Sequence, residues 1–97
     1  MNIEVVEFYP IEKNDKKQSL KGSLHVYLID LGLDLRGIFV LKKKNTWVFR
    51  LPYRKGVDPD TKQPVGYPIF SFMKPEMNKE LMQAIREKGK EYIIDNF

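Results

Sequence analysis

Hydrophobic and polar positions alternate with period two through the first half of the chain, which predicts strands with an apolar and a polar face. Ile3-Glu4-Val5-Val6-Glu7-Phe8-Tyr9 is rich in β-favouring types and stops at Pro10, giving a first strand. The polar run from Glu12 to Gln18 follows as a loop or wide turn. In the next segment Leu20, Gly22, Leu24, Val26 and Leu28 share one face, while Lys21, Ser23 and His25 point the other way. Asp30-Leu31-Gly32 supplies turn chemistry, and Leu33, Leu35, Gly37, Phe39 and Leu41 then alternate with Asp34 and Arg36, so a hairpin is expected. Lys42-Lys43-Lys44-Asn45-Thr46 is a second turn, after which Trp47, Phe49 and Leu51 alternate with Val48 and Arg50 until Pro52 ends the ladder. On this parity Trp47 joins the core, and Tyr53, beyond the proline, is exposed.

The pattern weakens after Pro52. Tyr53 to Tyr67 contains Gly56, Pro59, Pro64 and Gly66 and is expected to be a loop, and Pro68-Ile69-Phe70-Ser71-Phe72 a short edge strand. At Lys74-Pro75-Glu76 the period becomes helical. Pro75 suits a first helical position, Glu76 the positive end of the helix dipole, and Met77, Leu81, Ile85, Lys88 and Tyr92 recur on one face. Gly89 weakens the last turns. The predicted fold is α+β: one domain over residues 1–97, an antiparallel meander of four to five strands, with a C-terminal amphipathic helix lying on its apolar face.

Composition fits one modest core, since 97 residues suffice for a single domain and a hydrophobic share of 42% argues against a disordered chain. The net charge of +4 is mild, but its placement is not. From Arg36 to Lys55 there are seven basic side chains, Arg36, Lys42, Lys43, Lys44, Arg50, Arg54 and Lys55, and no acidic one. Charges of both signs mix on either side of that stretch, so an anionic partner is expected to meet the middle third. There are no cysteines, which excludes disulfides, thiolate catalysis and cysteine zinc sites. No secretory leader and no apolar run of membrane-spanning length is seen, so a cytoplasmic protein without membrane association is the default.

Catalytic signals are weak. His25 is the only histidine and lies on the polar parity of its strand, which suits a surface or dimer-contact position. Asp58-Pro59-Asp60-Thr61-Lys62 resembles the start of a calcium loop but lacks the later glycine and glutamate. No phosphate-binding glycine loop, nucleophile elbow or HExxH run occurs. No enzyme activity, cofactor, metal or small-molecule substrate is expected.

The basic segment is the strongest candidate. Arg36 and Arg50 are expected on faces opposite to Phe39 and Phe49, Lys43 and Lys44 cluster at a hairpin end, and Arg54 and Lys55 follow Pro52. Such groups at the ends of adjacent strands can straddle a phosphate backbone, and Tyr53 beside them can stack on a base. Lysines at hairpin tips also keep sheets soluble and discourage edge pairing.

In order and local sequence the chain resembles the SpoVG family, the stage V sporulation protein G or septation-regulator proteins of bacteria, from Ile3 to about Tyr92. Leu33-Asp34-Leu35-Arg36-Gly37-Ile38 is similar to the family's Asp-Ile-Arg-Val core, and Trp47-Val48-Phe49-Arg50-Leu51-Pro52-Tyr53-Arg54-Lys55 to its Leu-Phe-Val-Ala-Met-Pro-Ser-Arg-Lys run. Tyr67-Pro68-Ile69 stands where the family has His-Pro-Ile. The resemblance implies a small sheet protein that dimerises by strand pairing and binds DNA or RNA without catalysis, through Arg54, Lys55 and Lys74. The chain departs from that pattern at Tyr53, in place of a small residue, at Phe70 and Phe72, where the family is polar, and at the tri-lysine turn.

Two readings follow. One is a dimeric nucleic-acid-binding regulator using Lys43, Lys44, Arg54, Lys55, Arg36, Arg50, Tyr53 and Lys74. The other is a protein-interaction module whose edge segment, carrying Phe70 and Phe72, pairs with a partner chain while the lysines serve solubility.

Overall fold

The alternating segments pair in sequence order. In the computed structural model, which describes residues 1–11 and 19–97, strands β1 (Ile3–Pro10), β2 (Leu20–Leu28), β3 (Leu33–Lys43) and β4 (Thr46–Arg50) form one antiparallel sheet in the order β1-β2-β3-β4. The loop expected from Glu12 to Gln18 lies outside the described residues. A second, two-stranded sheet joins β5 (Tyr53–Val57) to β6 (Pro64–Pro68), and one helix, α1 (Pro75–Asn96), ends the chain.

One face of the large sheet is apolar and carries the helix. Leu24, Val26 and Leu28 of β2, Leu35, Ile38 and Val40 of β3, Ile3 and Phe8 of β1 and Phe49 of β4 are buried together with Leu81, Ile85 and Ile93 of α1. The parity predicted for β2 holds over Gly22, Leu24, Val26 and Leu28 but not at Leu20, where the register with β3 shifts and Leu20 pairs with the outward-facing Leu41. Isolated helices of this length that contain glycine are marginal in water, so the apolar face of the sheet is what stabilises α1.

Gly89 has a second role beyond its low helix propensity. A methyl group there would meet the Phe49 ring at 2.8 Å and Leu24 at 3.0 Å, so the helix makes its close approach to the sheet at this residue. The Tyr92 hydroxyl ties the same helix to β1 by donating to Glu7 Oε1 at 3.1 Å. Partial burial, and then that carboxylate, push the Tyr92 hydroxyl above the ordinary tyrosine value of 10.0.

Three expectations change. The first concerns β3: Val26 pairs with Leu35 but Leu24 with Ile38, so the strand carries one extra residue between them. Gly37, at φ +79°, accommodates this bulge, and the face alternation reverses there. Ile38 and Val40 therefore enter the core, while Phe39 and Leu41 turn to the outer face and Leu33 is exposed. Arg50 consequently lies across from Phe39 on the same face rather than opposite to it.

The second concerns the segment after Pro52, which is not a loop but the β5–β6 hairpin. Its turn is held by Asp58, whose Oδ1 accepts the Asp60 N–H at 2.8 Å and the Thr61 N–H at 3.2 Å. Each glycine is covered by a tyrosine from the opposite strand, Tyr67 over Gly56 and Tyr53 over Gly66. That cross-strand cover replaces the side chain a strand glycine lacks. The third concerns Phe70 and Phe72, which lie on no strand. They are half-buried against the core and meet edge to face with ring centroids 5.3 Å apart. Asn78 of α1 clamps this stretch, accepting the Phe72 N–H and donating to the Phe72 carbonyl, each at 2.7 Å. An edge strand carrying Phe70 and Phe72 is therefore corrected to a core-packed connection.

Candidate nucleic-acid interface

The outer face of the sheet, away from α1, is where the basic side chains meet apolar ones. Along β3 and β4 the cross-strand pairs on this face are Lys43 with Thr46, Leu41 with Val48, and Phe39 with Arg50. Leu41, Val48 and Phe39 are half-buried, whereas Lys43 and Arg50 are exposed. The strip continues onto the hairpin, since the Tyr53 ring packs edge to face on Phe39 with centroids 5.3 Å apart. Tyr53 remains 38% exposed, and Lys55 lies two residues further along the same face of β5.

Next to Tyr53 is a shallow depression of about 270 Å³ lined by Tyr53, Lys55, Pro64, Val65 and Gly66. Gly66 leaves its floor flat, because a methyl group there would sit 3.1 Å from the Tyr53 ring. The depression thus offers an aromatic wall, a cation and no carboxylate.

Each predicted site residue has a definite place. Lys44 occupies the β3–β4 turn at φ +56° and is exposed beside Lys43. Lys42 belongs to the other face, where its ammonium lies 4.8 Å from the centre of the half-buried Trp47 ring, a cation–π contact at the sheet end. Arg54 projects from the side of β5 opposite to Tyr53 and Lys55, in register with Tyr67. Lys74 precedes the first turn of α1, and no hydrogen bond, ion pair or ring contact among the described residues joins it to the hairpin.

Arg36 stands apart from the others. It flanks the Gly37 bulge toward the Asp34 end of β3, with its guanidinium 3.9 Å from the Asp34 carboxylate. Among the described residues Lys43, Lys44, Arg50, Arg54 and Lys55 have no carboxylate within 4.0 Å. On the outer face Glu4, Tyr27 and Asp34 pair across one end, Lys43 lies at the opposite end beside the tri-lysine turn, and Arg50 lies between them, across from Phe39.

His25 is a correction. It has the outward parity expected of it, but its side chain is only 8% exposed. β2 is an inner strand, flanked by β1 and β3, and the Asp34 carboxylate of β3 lies against the ring. Its Nε2 lies 3.3 Å from Asp34 Oδ1 without the alignment of a hydrogen bond. A buried side chain of this kind is not a surface or dimer-contact group.

Phe39 and Gly66 were not legible as site residues. The signal for Phe39 was Gly37, whose tolerance of positive φ permits a change of face. The signal for Gly66 was its symmetric spacing with Gly56 about Thr61, with Tyr53 and Tyr67 on either side. No group of side chains able to hold a metal ion, and no helix long and apolar enough to cross a membrane, occurs among the described residues. Compared with family models, curated proteins and solved structures, the chain matches none.

Proposed function

We propose that the chain is a small non-enzymatic regulator that binds the phosphates of DNA or RNA, in the manner implied by its resemblance to the SpoVG family. The observation that carries this reading is the set Lys43, Lys44, Arg50, Arg54 and Lys55: exposed, free of neighbouring carboxylates among the described residues, and spaced along the β3–β4 ladder and the hairpin that follows it. Cations already paired with carboxylates gain little from a phosphate, because the partner must first be given up. Unpaired ones release the counterions of the nucleic acid at no such cost. Arg36, held near Asp34, and Lys74, at the helix start, are secondary contacts in this reading. The regulator acts as a dimer by strand pairing, for which β1 and β4 are the two edges of the large sheet.

Duplex DNA, single-stranded DNA and single-stranded RNA, each carrying a fluorophore, are to be titrated at several salt concentrations by anisotropy. The expected affinity falls by about 0.9 log unit per log unit of salt for each duplex phosphate neutralised. Arg54→Ala with Lys55→Ala should lower that slope by about 2 while Trp47 emission keeps its folded position. A flat salt response in the wild-type protein would sink the phosphate reading.

A further inference from the structure

We infer that the ligand is single-stranded and that at least one unpaired base stacks on the Tyr53–Phe39 platform, in the depression floored by Gly66. This rests on the phosphate-binding reading above and narrows its substrate class.

Three observations converge. Cations alone suit either a duplex or a single strand, but here they bracket apolar and aromatic surface: Lys43 at one end of the strip Leu41, Val48 and Phe39, Arg50 across from Phe39 at the other, and Lys55 beyond Tyr53. A duplex turns its base faces inward and offers such a surface nothing, whereas an unpaired strand offers a phosphate and a flat apolar ring at every nucleotide. The Tyr53 ring is fixed edge to face against Phe39 and lies over Gly66, so stacking on it orders little that is not already ordered. Finally, among the described residues no helix borders this face to enter a duplex groove. α1 packs on the opposite side of the sheet, and its exposed surface mixes Lys79, Glu80, Arg86, Glu87, Lys90 and Glu91.

Charge favours a nucleic acid over a second copy of the chain as occupant. Two identical faces brought together by a two-fold axis near Arg50 and Lys55 would oppose cation to cation, with Glu4 and Asp34 at the other end.

The test is a competition against labelled oligothymidylate of about 12 nucleotides, a length within the range of single-strand sites. The competitors are the same unlabelled strand, a sugar–phosphate strand of equal length lacking bases, and a duplex of equal length. The baseless strand and the duplex should each compete about tenfold more weakly than oligothymidylate. Tyr53→Ala should remove that margin, while Tyr53→Phe should keep it, which separates stacking from misfolding. Equal competition by all three would overturn the inference and leave phosphate binding standing. Failure of every polyanion at low salt would remove both. A wild-type dimer that Phe39→Ser or Tyr53→Ala converts to monomer would assign the platform to a second copy and also overturn it.

Discussion

Gly89 and the ring of Phe49 show how a single side chain sets the depth at which α1 sits. Helix propensity favours alanine over glycine by about 1 kcal/mol, so propensity alone predicts that Gly89→Ala stabilises the protein. Packing predicts the reverse. The added methyl would lie 2.8 Å from a Phe49 ring carbon and 3.0 Å from Leu24, and both neighbours are buried. Overpacking a tight core costs about 1–3 kcal/mol, which exceeds the propensity gain over most of that range. The expected outcome is a net loss of up to about 2 kcal/mol, read as a lower urea midpoint at unchanged slope. A higher midpoint would show that the helix can lift from the sheet without loss.

Gly37 presents the opposite case, and it governs a whole strand. Nothing lies within 4 Å of a methyl built there, so no packing opposes substitution; the obstacle is the φ of +79° that the bulge requires. Gly37→Ala should cost about 1–2 kcal/mol through the backbone alone, and thermal unfolding followed by circular dichroism would measure it. If the cost is absent, the bulge has another conformation open to it. The same residue marks the limit of what periodicity discloses. Alternation in β2 was legible because that strand carries its core residues in unbroken phase. In β3 the apolar set Leu33, Leu35, Phe39 and Leu41 looked continuous, yet Ile38 and Val40 are the buried members beyond the bulge. A one-residue insertion in a ladder moves every later side chain to the other face, and the sequence shows only a glycine where it happens. The hairpin of β5 and β6 was hidden for a related reason. Gly56, Pro64 and Gly66 are loop formers by local propensity, and only the cross-strand placement of Tyr67 and Tyr53 over the glycines makes them strand residues. The basic candidates were legible because charge can be read residue by residue; the aromatic platform was not, since it depends on which way Phe39 faces.

The molecule as a whole combines a cored sheet and helix with a hairpin that has almost no core of its own. None of the described side chains of β5 and β6 is fully buried; the Ile69 N–H donated to the Pro52 carbonyl at 3.0 Å closes the hairpin's open end, and the Phe39–Tyr53 ring contact joins it to the sheet. Two-stranded ribbons of this kind are marginal alone, so the hairpin is expected to open without the sheet unfolding. Native-state hydrogen exchange should therefore divide the amides into two classes. Those of Leu24, Val26, Ile38 and Val40 should exchange slowest, near the rate set by global unfolding, and the β5–β6 ladder at least about a hundredfold faster. The second class also reports on the proposed interface. A strand that binds only the closed hairpin must slow its opening in proportion to saturation, by about a hundredfold when the ligand stands at 100 times its Kd. Added oligothymidylate should thus protect the amides of β5 and β6 by that factor and the core amides of β2 by the same factor, because global unfolding also opens the hairpin and releases the ligand. Protection confined to α1, with the hairpin unaffected, would place the ligand on the other side of the molecule and leave the Tyr53 platform without an occupant.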